Sequence, residues 1–289
     1  MLGHTVQTTL MARHYRKFDS QAAIAARGLS LGITMMPLLI LSRHGSLIQI
    51  ISHPLPLIAA ALLTAIGNWS AAVSVRYLPV GMATAGHQGF LVITASVIGL
   101  LAFGEQLSVV EWLGIAVILA ANSTALIKPR NVSLQWDRHT ATGLMYCAFF
   151  GILVGTGVSL VTGMARKIDP FAAAYAWELS IGLFSALILA IRKTAGTSDG
   201  ESIGPAAFGK ILLCSAPTAV GTAFFALAVT RGPIGIVTAV ASTIVIMTSV
   251  LAFFLYHERL SFRQILAVGI IAATIAIIRL APAIDKSLF

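Results

Sequence analysis

The chain has 289 residues, of which 57% are apolar and only 10% charged, and its mean hydropathy is +0.91. A soluble globular domain carries about a quarter charged residues, so this composition excludes one and describes a polytopic membrane protein. The net charge of +9 gives no nucleic-acid partner, because the 19 Lys and Arg stand singly or in pairs between apolar stretches and form no basic face.

In chain order, residues 1–14 read as a short helix, since Leu2 to Arg13 spans only about 18 Å at the α-helical rise. Apolar segments of about twenty residues, enough to cross a ~30 Å hydrocarbon core, follow near 21–41, 55–75, 79–102, 108–128, 142–164, 170–191, 207–229, 233–256 and 261–280. Pro79 and Pro233 set the first turns of two of them. The two long polar linkers are 129–141 and 193–206, the latter containing Gly196-Thr197-Ser198-Asp199-Gly200-Glu201. Cys147 and Cys214 both fall in apolar stretches, which gives neither a disulfide framework nor a zinc site. No metal and no cofactor is expected.

The chain also contains itself twice. At an offset of 150, Arg16-Lys17-Phe18-Asp19 lies on Arg166-Lys167-Ile168-Asp169, and 9 of the 17 positions from 16 to 32 are identical. At 154, Thr64-Ala65-Ile66-Gly67 lies on Thr218-Ala219-Val220-Gly221, and Pro79-Val80-Gly81 on Pro233-Ile234-Gly235. Chance would give about one or two matches per window, so the chain reads as a duplication. Five helices per copy is an odd number, so the second copy enters the membrane from the opposite face, as in secondary transporters. The expected fold is an all-α polytopic membrane protein of two inverted five-helix repeats, ten transmembrane helices with the first truncated. The first copy covers 1–128, a linker 129–141, the second copy 142–280 and a tail 281–289. Helix 142–164 maps onto a segment that begins before residue 1, which predicts a natural start about nine residues or more upstream. A cleaved signal peptide is the competing reading, but Leu2–Leu10 lacks the apolar run and the basic flank.

Polar groups inside spans are the guide to function, because a charge at the centre of a membrane helix costs roughly 2.5–3.5 kcal/mol unless it faces a cavity or a partner. Arg27 lies about seven residues into helix 21–41, and Glu178 about eight into helix 170–191, at adjacent positions of the repeat alignment. Entering from opposite faces, they come within about 10 Å of each other in depth. Arg27 either snorkels to headgroups or reaches a central cavity; Glu178 is either its structural partner or a group that titrates or binds a substrate amine. His87 and Gln88 lie near the middle of helix 79–102, where the second copy has Ala241 and Ser242, so chemistry there is not duplicated. His4 and Gln7 map to mid-membrane positions, and Asn68, Trp69, Tyr146, Tyr175 and Trp177 add amphipathic surface. Glu105 and Glu258 are related by the repeat but sit in turns, where a carboxylate serves the helix dipole and the turn. Gly151 and Gly155 form a Gly-x-x-x-Gly pair for close helix approach.

Further motifs carry a family likeness. The first copy reads Arg76-Tyr77-Leu78-Pro79-Val80-Gly81, Gly104-Glu105-Gln106-Leu107-Ser108 and Trp112-Leu113-Gly114; the second reads Arg231-Gly232-Pro233-Ile234-Gly235 and His257-Glu258-Arg259-Leu260-Ser261. Over essentially its whole length the chain resembles the EamA-type permeases of the drug/metabolite transporter superfamily, departing at the short first helix and at His257 in place of glycine. That resemblance implies a carrier of small metabolites, proton-coupled or an exchanger, often an exporter, in the cell inner membrane of a bacterium, and not an enzyme. The expected partners are a small-molecule substrate, membrane lipids and protons, with a homodimer left open. Arg27 and Glu178, beside the aromatic residues, suit a zwitterion such as an amino acid. A cationic drug exporter and a lipid-linked carrier or flippase on the same scaffold are the alternatives. Orientation is in conflict: alternate loops carry 12 against 6 Lys and Arg, which puts the C-terminus outside, whereas the resemblance implies cytoplasmic termini.

Overall fold

A computed structural model describes residues 2–78, 80–126, 138–196, 201–248, 251 and 262–288. Among the described residues the secondary structure is helical, apart from one isolated bridge between Phe18 and Glu201. The helices are α1 (Leu2–Lys17), α2 (Ser20–Thr34), α3 (Ser46–Ser52), α4 (Pro54–Tyr77), α5 (Val80–Phe103), α6 (Val109–Leu126), α7 (Arg138–Lys167), α8 (Pro170–Thr194), α9 (Pro205–Val229), α10 (Ile234–Ala241) and α11 (Phe262–Leu288).

Among the described residues five spans, Pro54–Tyr77, Met82–Phe103, Arg138–Lys167, Pro170–Thr194 and Pro205–Val229, are long and apolar enough to cross a membrane. Outward-facing Leu101, Leu113, Leu187, Leu213 and Phe224 are exposed, which a lipid solvent tolerates and water would not. The protein is a multi-pass membrane protein. Proline opens α4, α8 and α9, where its missing N–H costs nothing.

Three helices differ from the sequence expectation, and one of them, α11, runs on to Leu288 through most of the expected 281–289 tail. The helix expected over 21–41 is α-helical only to Thr34, because Pro37 cannot donate to the carbonyl four residues back; the chain tightens into a 3-10 helix at Met36–Leu41 and turns before α3. The helix expected over 233–256 breaks after Ala241. The Ser242 hydroxyl donates to Ala239 O at 2.7 Å and the Thr243 hydroxyl to Val240 O at 2.9 Å, competing with the helical ladder, and helical structure resumes at 244–248. Most of the rest of that segment, with Pro79, His257, Glu258 and most of the 129–141 linker, lies outside the described residues.

The helices pack mainly on partners from the other half. By sequence register α2 corresponds to α8, α5 to α10 and α6 to α11, and each of these pairs is in contact. The α4–α7 contact is matched by α1–α9. At the centre α2 and α8 cross so closely that a Cβ on Gly28 would collide with the Cα of Gly182. Both ends of this antiparallel pair are tied by the duplicated aspartates. Asp19 caps α2 through Gln21 N and Ala22 N and reaches Arg192 at the end of α8, at 3.4 Å. Asp169 caps α8 through Phe171 N and Ala172 N and accepts from Arg43 N, beyond the end of α2, at 3.1 Å.

Candidate functional site

A cavity of about 250 Å³ lies where α1, α2, α4, α5 and α7 to α10 converge. Its most polar element joins the two halves. Arg27 comes from the middle of α2, one residue before the Gly28–Gly182 crossing, and its Nη2 donates to Glu178 Oε1 at 3.3 Å. Both side chains are almost out of reach of solvent, at 12% and 3% exposure. Arg27 is therefore turned into the protein. The Thr222 hydroxyl of α9 donates to the same Oε1 at 3.3 Å, whereas Glu178 Oε2 is buried without a hydrogen-bond partner. Leaving a buried carboxylate oxygen unsatisfied costs stability, and such groups in membrane spans serve binding more often than folding.

Of the residues singled out from sequence, Arg27, Glu178, Trp177, His87, Gln88, Asn68 and His4 all line this cavity. His87 is buried: its Nε2 lies 2.7 Å from the Ser74 hydroxyl and its ring 4.6 Å from that of Phe150. Trp177 Nε1 donates to the Thr64 hydroxyl at 3.2 Å, which locks the indole plane. His4 lies against Gly221 of α9. Gln7, beside it, bonds Thr218 at 2.9 Å and Ser215 at 3.4 Å, so the first helix is held by polar ties. Two residues are elsewhere. Tyr175 is buried with Leu31 and Met35 in an apolar cluster, because it stands two positions from Trp177 on a helix and so points away. Trp69 packs edge-on against Tyr146, centroids 6.0 Å apart, and Tyr146 stacks on Tyr77, outside the cavity lining.

Sequence reading passed over Tyr15, Thr64, Phe150 and Thr222, all of which line the cavity. A signal existed for one of them: Thr64 opens the Thr-Ala-x-Gly block that recurs at Thr218. The arrangement offers a cation and an anion side by side, one free carboxylate oxygen, and walls of indole and phenyl rings. Among the described residues, no group of three His, Cys, Asp or Glu side chains could hold a metal ion.

The profile described as "EamA-like transporter family" matches residues 1–126 and 141–280. Comparison with curated proteins gives no match. A solved structure described only as "Crystal structure of protein" superimposes with a TM-score of 0.74 over 99% of this chain and 96% of that chain, at 14% sequence identity, which is a likeness of fold alone.

Proposed function

The chain belongs to the EamA-like transporter family, and from that premise we propose that it is a secondary carrier of a small zwitterion, an amino acid or a related metabolite, working by alternating access. The observation that carries this reading is the buried Arg27–Glu178 pair with Glu178 Oε2 unpartnered. In a low-dielectric cavity, charge must be balanced before and after loading. A zwitterion meets that condition: its carboxylate takes Arg27 and its ammonium takes Glu178, so the internal pair is exchanged for two intermolecular ones. A cationic drug would displace Arg27 from Glu178 and leave the guanidinium unpaired beside a second cation. Trp177 and Phe150 supply apolar surface for the cargo's side chain, and the cavity, at about 250 Å³, lies just below the usual range for ligand pockets, which favours a small cargo.

The two halves, 1–128 and 142–280, act as the rocking units, with ten membrane crossings in total and the cargo held between them near the mid-plane. Efflux across the cell inner membrane, with the Arg27–Glu178 pair re-forming when the cargo leaves, completes the cycle. The groups facing Glu178 in this step are Arg27 of α2 and Thr222 of α9, with His4 and Tyr15 of α1 in the same cavity.

Counterflow into proteoliposomes with a panel of labelled amino acids and metabolites tests the reading. Saturable exchange of a zwitterion that is lost in Glu178→Gln supports it. Exchange restricted to permanent cations, or of no compound by folded protein, overturns it.

A further inference from the structure

Arg166 and Glu105 tie the halves together at the end of α10 remote from its cavity-lining Ala241. Arg166, near the end of α7, spends its fork on three acceptors and a ring. Its Nε donates to Val229 O at 2.7 Å, its Nη2 to Gly232 O at 2.9 Å and to Glu105 Oε1, and its guanidinium lies 4.9 Å from the centre of Phe103. Glu105, in the turn after α5, uses its other oxygen to accept from Ile234 N at 2.9 Å. No side chain caps α10 from its own Pro233, so Glu105 takes that place from the other half of the chain.

This cluster fixes a short, interrupted helix. α10 is only eight residues long, begins at Glu105 and Arg166, and ends at the Ser242–Thr243 break, where Ala241 and Ile244 line the cavity. Next to the cluster α5 and α10 are packed without slack: Cβ atoms on Gly99 and Gly235 would meet Ile234 and Ser96 at 2.8 and 2.6 Å. Toward the middle of the bundle, Thr84, His87 and Gln88 of α5 line the cavity together with Ala241 and Ile244. The pair is therefore held by charge-assisted bonds at one end and borders the cavity at the other. A permanent weld between helices needs only apolar contact of the Gly28–Gly182 kind. A carboxylate shared between an arginine and a helix terminus is directional, and is released as a unit when the helix shifts by a bond length.

We propose that Glu105 and Arg166 are positioning residues of the transport cycle, a latch that holds this end of the two halves shut and sets the position of α10 at the cavity. The transport role rests on the carrier reading; the latch itself is read without cargo. In the duplicated sequence both partners recur, as Arg16 and Glu258, whose side chains lie outside the described residues.

The test places a cysteine at Ser96, which is buried against Gly235, in a Cys147→Ala, Cys214→Ala background, and follows its labelling by a water-soluble maleimide in purified protein. Breaking the bond between the two side chains by Glu105→Gln raises the labelling rate about tenfold, and Arg166→Gln, which also frees Val229 O and Gly232 O, raises it at least as much. The double variant labels no faster than the faster single one, because the two side chains open one latch. A control cysteine at Ala60, buried between α4 and α7, keeps its rate. Arg166→Lys, which keeps the charge and loses the fork, falls between and serves if the glutamine variants do not fold. In counterflow the same variants lower the maximal rate more than they raise half-saturation, since neither side chain lines the cavity. Unchanged labelling at Ser96 in folded variants, or an equal rise at Ala60, overturns the latch. Faster labelling at Ser96 alone, in a protein that exchanges no compound, leaves the latch standing and removes the carrier reading.

Discussion

Glu105 places its Oε2 2.9 Å from the backbone N–H of Ile234, so that a carboxylate of the first half caps a helix 129 residues further along. From sequence, a carboxylate in this turn belongs to the helix that follows it. That helix, α6, is served instead by Glu111, whose Oε2 accepts from Ser108 N at 2.7 Å while the Ser108 hydroxyl accepts from Glu111 N at 3.3 Å. This is the reciprocal Ser-x-x-Glu capping box, and it frees Glu105 to act across the interface.

The two carboxylates are thereby separable by hydrogen exchange. Glu111→Ala frays the first turn of α6 at a cost of about 1 kcal/mol and leaves α10 protected. Glu105→Ala accelerates exchange in peptides covering 234–241 and leaves 109–112 as in the parent. Faster exchange at the start of α6 in the Glu105 variant would show that the carboxylate serves its own neighbour after all.

Arg27 and Glu178 should behave as a coupled pair in unfolding measurements. Arg27→Ala leaves Glu178 buried with Thr222 as its one donor, at a cost of about 3–5 kcal/mol. Replacing both by methionine removes the two charges together and costs far less than the sum of the single changes. Additive losses in the double variant, measured by denaturant titration in detergent, would mean that the two side chains do not depend on each other.

How far the sequence reached is explained by which features repeat with chain position and which depend on neighbours. The apolar spans and the duplication are periodic signals, and α4, α5, α7, α8 and α9 lie where those signals put them. The convergence of Arg27, Glu178, His87 and His4 on one cavity was legible because each is a polar group in an apolar span, and such groups turn toward one another in lipid. Tyr175 and Trp69 misled because an aromatic residue is as much at home in apolar packing as beside a ligand. The breaks at Met35 and Ser242 were missed for different reasons. Pro37 stands in the sequence as a plain stop signal that hydropathy overrode, whereas the Ser242 break needs Asn122 of another helix to hold it.

The Gly28–Gly182 crossing carries a steric expectation. Either glycine replaced by alanine drives a methyl group into the backbone of the facing helix, separates α2 from α8 and costs about 1–3 kcal/mol. Gly209→Ala, with open space around its site, leaves stability unchanged or slightly raised. The same set in counterflow distinguishes packing from function: a wider crossing moves Arg27 away from Glu178, so exchange falls with Gly28→Ala and persists with Gly209→Ala. Equal stability of all three variants would place the close contact outside what holds the halves together.

Asn122 and Ser242 give the sharpest contrast, because two substitutions at one contact should move the backbone in opposite directions. Asn122 Nδ2 donates to the Ser242 hydroxyl oxygen at 2.9 Å and reaches Ser242 O at 3.4 Å, holding the irregular backbone from α6. Without that amide, in Asn122→Ala, the segment loses its outside support, and exchange at 241–245 speeds up. Without the hydroxyl, in Ser242→Ala, the competition with the helical ladder ends and alanine favours a continuous helix, so exchange there slows. Both changes disturb the Ala241–Ile244 wall of the cavity, so both lower exchange of cargo. Opposite effects on backbone protection joined to the same loss of transport would mean that the break itself, and not merely helix stability, shapes the site; a Ser242→Ala protein that is straighter and fully active would mean the cavity works without it.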